Sequence, residues 1–413
     1  MFRVLILLFV PLLSLFIVTL GNGLLTTLLT VKLNLTGTTS WIPGAVVAAY
    51  YGGLVIGSFR IEPFIVRVGH IRAYAAFASV VAVLAMLQGM YEIPWVWIVL
   101  RFISGFCMAV LFIVIGSWMI VKSESKTRGA ALSLYMIAQY AAQALGQLLL
   151  NGKNIHTIIP FCIVTILASL SVVPLAMTYI SSPKFERPSA LGFIKLYRLS
   201  PSGVIGCFIS GLVLGTLYGL LPLAISNLHY DVSDVARFMG IVILGGLGLQ
   251  IPIGKMSDVY DRRSVLVFVS IFLLLTNIAI IVSALDFRYL FIVLLFVLGG
   301  FSFTLYPLSV SHACDYVNSS DIVAATQGLL LAYGIGATTG PLLAPIVIDY
   351  SPHFGLFIYF GLLASVLAIF FGWRRMKKAR IPIEAQQEFV PLLPATPIVQ
   401  ELDPRAEEGK IQT

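Results

Sequence analysis

Scanned for runs of apolar and polar positions, the chain divides into twelve long apolar segments separated by short polar turns. They cover residues 5–31, 42–64, 71–91, 94–121, 129–150, 157–180, 203–225, 235–254, 264–285, 289–313, 322–347 and 354–373. Each offers the roughly 20 mostly apolar residues that a helix needs to cross the hydrocarbon core of a bilayer. The connectors Glu92-Ile93-Pro94 and Asp286-Phe287-Arg288 are so short that the third and fourth segments, and the ninth and tenth, read as antiparallel hairpins. The pattern predicts an all-α integral membrane protein with twelve transmembrane helices.

The segments repeat. WIVLRFISGFC (residues 97–107) returns 194 positions later as FIVLLFVLGGF (residues 291–301), which aligns Gly105 with Gly299, and the same offset carries Gly146 onto Gly340. Echoing halves are the mark of a membrane protein that rocks one half against the other. The expected division is a six-helix bundle over 1–180, a linker over 181–202, a second six-helix bundle over 203–375, and a disordered tail over 376–413. The tail is polar, with five prolines and several acids, and offers nothing that looks able to form a core of its own.

Composition agrees: 59% of residues are apolar and 11% charged, with a mean hydropathy of +0.98, far from the balance of a soluble domain. The net charge of +8 does not point to nucleic acid, because the basic residues sit in short loops between apolar runs. Twenty of the 26 Lys and Arg fall on the side that holds both termini, against four (Lys32, Lys153, Arg237, Arg288) on the other; Arg60 and Arg101 lie inside spans. The positive-inside rule therefore places both termini in the cytoplasm. The first 31 residues resemble a signal peptide in outline, but their apolar run is too long for a typical signal core and reads as an uncleaved first helix. Cys107, Cys162, Cys207 and Cys314 lie in or at the ends of apolar segments without metal-ligand spacing, so they read as small hydrophobes, and no metal or cofactor is expected.

Candidate chemistry sits at a few polar interruptions. Arg101 is a lone charge well inside the fourth segment, where a cation must pair or face a cavity. A structural arginine bonded to backbone carbonyls is the alternative. Tyr135, Gln139, Gln143 and Gln147 recur every four residues and form one slanting polar stripe on the fifth segment. Such a stripe lines a cavity or bonds a neighbouring helix. Asn22, Tyr218, Tyr306 and Tyr333 are further candidates for a substrate path, being polar or ring-bearing residues within spans. Gly211, Gly215 and Gly219, with Gly336 and Gly340, are small residues at four-residue spacing, suited to the close helix approach of a rocking interface.

The loop Gly254-Lys-Met-Ser-Asp258-Val-Tyr-Asp-Arg262-Arg263 carries a possible latch: Asp258 approaching the start of the fifth helix at Arg128-Gly129, and Arg262 or Arg263 pairing with Asp315. This loop resembles that of the major facilitator superfamily, roughly G-x-L-x-D-R-x-G-R-R. Gly254, Asp258, Arg262 and Arg263 match it, while Val259 and Asp261 depart from it. The first-half copy, residues 62–72, keeps Arg67 and Gly69 but has Glu62 for the first glycine and Val66 for the acid. Arg101-x-x-x-Gly105 resembles the helix 4 pattern of the superfamily, which implies an arginine on the central pathway that senses protons indirectly or holds an anion. Leu100-Arg101-Phe102, Thr127-Arg128-Gly129, Gly146-Gln147-Leu148-Leu149, Ile209-Ser210-Gly211, Leu217-Tyr218-Gly219-Leu220 and Phe303-Thr-Leu-Tyr306-Pro307 look like its bacterial YcaD-like branch. There the branch is expected to carry a helix 4 carboxylate, and this chain has Gly116.

The resemblance implies a permease, not an enzyme, that moves a small organic solute or drug by alternating access as a monomer in the bacterial inner membrane. Proton coupling is implied by the family alone. No carboxylate lies deep in a span, so its candidate carriers are Glu62, Arg101 and His312, or the substrate itself, and uniport stays open. No G-x-x-x-x-G-K-[ST] loop occurs, which argues against direct ATP drive. A sensor or scaffold on a transporter fold, or a polytopic membrane enzyme, are the other classes.

Overall fold

A computed structural model describes residues 2–123, 127–150, 155–177, 193–283, 288–318, 321–377, 382–394 and 396–406. Their regular structure is helical, and no strand occurs among the described residues. The helices are α1 (Phe2–Leu35), α2 (Trp41–Arg60), α3 (Glu62–Val68), α4 (His70–Met90), α5 (Pro94–Lys122), α6 (Arg128–Leu148), α7 (Ile159–Leu170), α8 (Val172–Ala176), α9 (Phe193–Leu199), α10 (Pro201–Asn227), α11 (Val232–Val259), α12 (Arg262–Ser283), α13 (Arg288–Cys314), α14 (Ile322–Tyr350) and α15 (Gly355–Lys377). Eleven helices among the described residues are long and apolar enough to cross a membrane. The fifth predicted segment forms α6, 21 residues long, whose glutamine stripe keeps it out of that set.

Local signals set several boundaries. Pro94 and Pro201 stand in the first turns of α5 and α10, where the missing amide proton leaves no bond unmade. Ser200 caps α10 by accepting from the Gly203 amide at 3.2 Å, and Asp231 caps α11 from the Asp234 amide at 2.6 Å. Gly69 turns the chain between α3 and α4 at φ +93°, a conformation that disfavours side-chain-bearing residues. Asp286 and Phe287 of the ninth-to-tenth connector and residues 181–192 of the predicted linker lie outside the described residues. The linker's end is not loop: it forms α9, with Leu196 buried.

Both halves use one pairing scheme. In the first, α1 lies along α6 and α2 along α5; in the second, α10 lies along α14 and α11 along α13. The 194-residue echo marks the crossings. A Cβ on Gly105 would stand 1.9 Å from the Tyr50 carbonyl oxygen, and one on Gly299 would stand 1.9 Å from that of Val242. Gly146 over Leu20 and Gly340 over Leu212 repeat the arrangement at 2.3 and 2.5 Å. Bare backbone meets backbone at each crossing, so dispersion between main chains holds the pair where no hydrophobic gradient exists. The glycine stripes on α10 and α14 serve this same purpose inside the second half, Gly211 against Tyr333 and Gly336 against Phe208. Only Gly219 reaches across to the other half, meeting Val47. The rocking-interface expectation is thus corrected for the rest of the stripe.

The halves meet through α2 with α14, α6 with α11, and α1 with α10. At the end opposite the chain termini they are shut. Thr30 donates to the Gly219 carbonyl at 2.8 Å, Asn34 to Ser226 Oγ at 3.0 Å, and Ser40 to the Asp349 carboxylate. Gly44 packs on the Pro341 carbonyl beside them.

At the other end the halves are wedged apart by the C-terminal segment. The expectation of a disordered tail over 376–413 fails for residues 382–394 and 396–406; residues 378–381, 395 and 407–413 lie outside the described residues. The segment makes short turns at Ile383–Ala385, Pro397–Leu402 and Pro404–Ala406, and buries Val390, Leu392, Leu393, Ile398, Val399 and Leu402. Its prolines forbid a continuous helix. The apolar residues between them fill a core made by other helices: Pro397–Leu402 touches α5 and α6 of one half and α14 of the other.

Candidate functional site

Between the halves lies a cavity of about 870 Å³, its opening included. The first half contributes Asn22, Thr26, Thr27, Tyr50, Tyr51, Gln139, Tyr140, Gln143 and Gln147. The second contributes Tyr218, Met239, Phe303 and Tyr333, and Leu393 and Pro394 of the tail close the side toward the termini. The rings interlock across the halves: Tyr140 and Tyr218 both stand edge-on to Phe303, at 5.2 and 5.5 Å between centroids. Among the described residues no carboxylate or histidine lines this space.

The polar stripe of α6 divides along its length. Gln147 accepts from Thr27 Oγ1 at 2.6 Å and donates to the Gly23 carbonyl at 3.1 Å, which pins α6 to α1. Gln139 and Gln143 line the cavity with side-chain carbonyl oxygens that have no protein partner. A buried acceptor left so is costly unless a ligand or water meets it. Tyr135, at the other end, is fully buried away from the cavity. Tyr306 is likewise behind the wall, edge-on to Tyr333 at 5.1 Å.

Arg101 is 1% exposed and also stands one layer back from the cavity surface. Its guanidinium lies over the Tyr50 ring at 4.2 Å, and Nη2 donates to Thr26 Oγ1 at 3.1 Å. Tyr50 in turn accepts from Asn22 Nδ2 at 3.1 Å. Nε and Nη1 have no hydrogen-bond partner, and among the described residues no carboxylate pairs with this cation. The expected direct lining is corrected: Arg101 reaches the cavity through Thr26 and Tyr50, both of which face it. An unneutralised guanidinium behind a tyrosine ring makes that wall electropositive.

The predicted latch residues converge at the terminal end, but on the tail. Arg262 and Asp315 form a buried pair at 2.6 Å. Burial lifts the Asp315 carboxyl above its ordinary range, and the Arg262 guanidinium opposes that rise. Asp258 accepts from the Phe389 amide at 2.8 Å and from Arg262 Nη2 at 3.3 Å. Near Gly129, where Asp258 was expected to approach, the atom that a Cβ would meet is Pro404 Cγ at 3.9 Å. Arg128 opens α6 half-buried, and Arg67 is exposed at the end of α3. Gly254 faces the Phe389 ring, and Arg263 donates to the Tyr316 hydroxyl. His312 packs edge-on to Tyr316 at 5.3 Å, away from the cavity; the Glu62 side chain lies outside the described residues. Replacing Asp258 with alanine removes one acceptor for the tail, worth about 1 kcal/mol. Hydrogen exchange at the Phe389 amide should then accelerate by roughly fivefold, and an unchanged rate would show that the bond holds nothing.

Tyr50, Tyr51, Thr26, Thr27, Tyr140 and Phe303 were missed by sequence reading. Tyr50-Tyr51 is an adjacent aromatic pair inside a span, a signal in plain view, but which ring faces the other half depends on how the helices roll together.

A profile of the Major Facilitator Superfamily matches residues 8–286 and 203–402. The "uncharacterized MFS-type transporter YcaD" of Escherichia fergusonii is 31% identical over 361 residues, covering 86% of this chain and 92% of the relative. A similar "uncharacterized MFS-type transporter" of an Enterobacter species is 32% identical over 362 residues, with the same coverage. Among solved structures, the nucleoside transporter NupG superposes with a TM-score of 0.71 at 15% identity, over 90% of this chain and 100% of that one. A bacterial homologue of the human lysosomal transporter Spinster, inward-facing and unoccupied, gives 0.66 at 14% identity, over 97% and 96%. With the repeated pairing of helices and the sequence match across nearly its whole length, this chain is a multi-pass membrane transporter that belongs to the major facilitator superfamily, in its YcaD-like branch.

Proposed function

We propose that the protein carries a small, flat, neutral or anionic organic solute across the bacterial inner membrane by alternating access, as a monomer. One observation carries this reading: a cavity walled by both halves, lined with tyrosines and two unpartnered glutamine acceptors, and shut at one end by bonds between the halves. Aromatic walls take a ring face, and Gln139 and Gln143 take hydrogen-bond donors from its edge. The cation behind Tyr50, with no carboxylate lining the cavity among the described residues, disfavours organic cations. On this reading α6 is the twelfth span, both termini are cytoplasmic, and the shut end faces outward.

No carboxylate or histidine lines the cavity among the described residues, so on this reading a coupled proton would travel with the substrate. The expected result in proteoliposomes is counterflow of neutral or acidic heteroaromatic solutes, exclusion of quaternary ammonium dyes, and little change for neutral solutes when a pH gradient is imposed. Absence of flux for every member of a broad metabolite pool, with and without the gradient, would overturn the carrier reading and favour a sensor on this fold.

A further inference from the structure

The Arg262–Asp315 pair forms as expected, and together with Asp258 it grips the C-terminal segment. Arg262 Nη2 donates to the Gln387 carbonyl at 2.6 Å, and Asp315 accepts from the Gln387 amide at 3.1 Å, so one buried ion pair holds both backbone groups of a single tail residue. Asp258 takes the next amide but one, at Phe389. Beyond the charges, two glycines make room for tail side chains. A Cβ on Gly254 would stand 2.2 Å from the Phe389 ring, and one on Gly116 would stand 2.5 Å from Ile398 Cγ2. Arg405 is buried against its own neighbour Asp403, with Nη2 to Oδ2 at 2.6 Å, and its Nη1 donates to Ser311 on α13 at 3.1 Å. Gln400 folds the segment back on itself by donating to the Leu393 carbonyl at 3.1 Å.

We propose that the vestibule bounded by α5, α6, α11, α13 and α14 is a peptide-docking site whose occupant is residues 386–394 and 396–405 of the same chain, and that the docked segment closes the substrate cavity from the terminal side. Leu393 and Pro394 are the innermost residues of this plug and form part of the cavity wall. Backbone hydrogen bonds supply register, and the glycine sockets supply selectivity, as in other peptide-recognition grooves. On this proposal the plug is reversible, because the entropy lost in ordering the segment opposes the burial of its apolar side chains. A solute entering from the terminal side therefore competes with the tail. The docking does not depend on the transport reading; the competition does.

The test places a single cysteine at Ser58, which lies beside Pro394, in a chain whose four native cysteines are serine. Maleimide labelling is compared in the full chain, in a chain ended at Lys377, and in the full chain carrying Gly116→Leu, which removes the Ile398 socket while keeping the tail. Labelling should be at least about tenfold faster in the latter two. A synthetic peptide of residues 382–406 should restore protection to the shortened chain but not to Gly116→Leu. Equal rates in all three proteins would overturn the docking, and Gly116→Leu alone decides the matter if the shortened chain fails to fold. Faster solute flux from the shortened chain supports competition, and equal flux despite faster labelling overturns it. Absence of flux from both forms counts against the carrier reading, not against docking.

Discussion

Alanine at Gly105 or at Gly299 is expected to destabilise the protein by about 3–5 kcal/mol. A methyl carbon 1.9 Å from a carbonyl oxygen lies far inside van der Waals contact, and the atom it meets belongs to a helix backbone that cannot rotate away. α5 would have to move off α2, or α13 off α11, and each displacement opens one of the main helix pairings of its half. Thermal unfolding in detergent should show a large drop for either change. Gly372→Ala on α15 is the control: nothing lies within 4 Å of its Cβ, so the helix should hold or gain roughly 0.5–1 kcal/mol. A Gly105→Ala protein as stable as the Gly372→Ala protein would show that the crossing is looser than the structure has it.

Replacing Arg101 with leucine is expected to separate stability from function. A buried cation with two unpartnered nitrogens and no carboxylate is a net burden on the fold, as a charge at membrane depth costs at least ~2.5–3.5 kcal/mol on insertion scales. The leucine protein should therefore melt no lower than the parent. Flux should nevertheless fall by about a hundredfold, because the electropositive wall behind Tyr50 and Thr26 is lost. Arg101→Lys should recover only part, since an ammonium offers a point charge and cannot lie flat over the ring as the guanidinium does. A leucine protein that melts several degrees lower, with flux reduced only in proportion to the folded fraction, would make Arg101 a structural residue.

Much of this was legible in the chain. Apolar length located the helices because a bilayer leaves a spanning segment almost no other way to satisfy its backbone. Gly105 and Gly299 were visible as an echo because each half must solve the same crossing with the same absent side chain. The Arg262–Asp315 pair followed from charges placed at neighbouring helix ends. The cavity was half legible: Gln139, Gln143, Asn22, Tyr218 and Tyr333 line it, whereas Tyr135, on the same stripe as the glutamines, and Tyr306 are buried behind it. A period of 3.6 identifies a face, but a face can turn toward a partner helix as readily as toward a void.

The tail was misread for a related reason. Phe389, Val390, Leu392, Leu393, Ile398, Val399 and Leu402 make a seven-residue apolar set within fourteen positions, broken by prolines. Such a stretch cannot build a core of its own, and that much the residues state correctly. Whether it borrows one depends on a cleft formed by helices distant in the sequence, on Gly116 and Gly254 being bare, and on Arg262, Asp315 and Asp258 being turned inward together. The sequence alone determined the helices, their echoing crossings and the superfamily, because bilayer thickness and backbone hydrogen bonding act on each segment separately. Only the tertiary structure decided which side chains face the cavity and what fills its mouth, because those depend on the relative roll and spacing of two bundles, a property of no single segment.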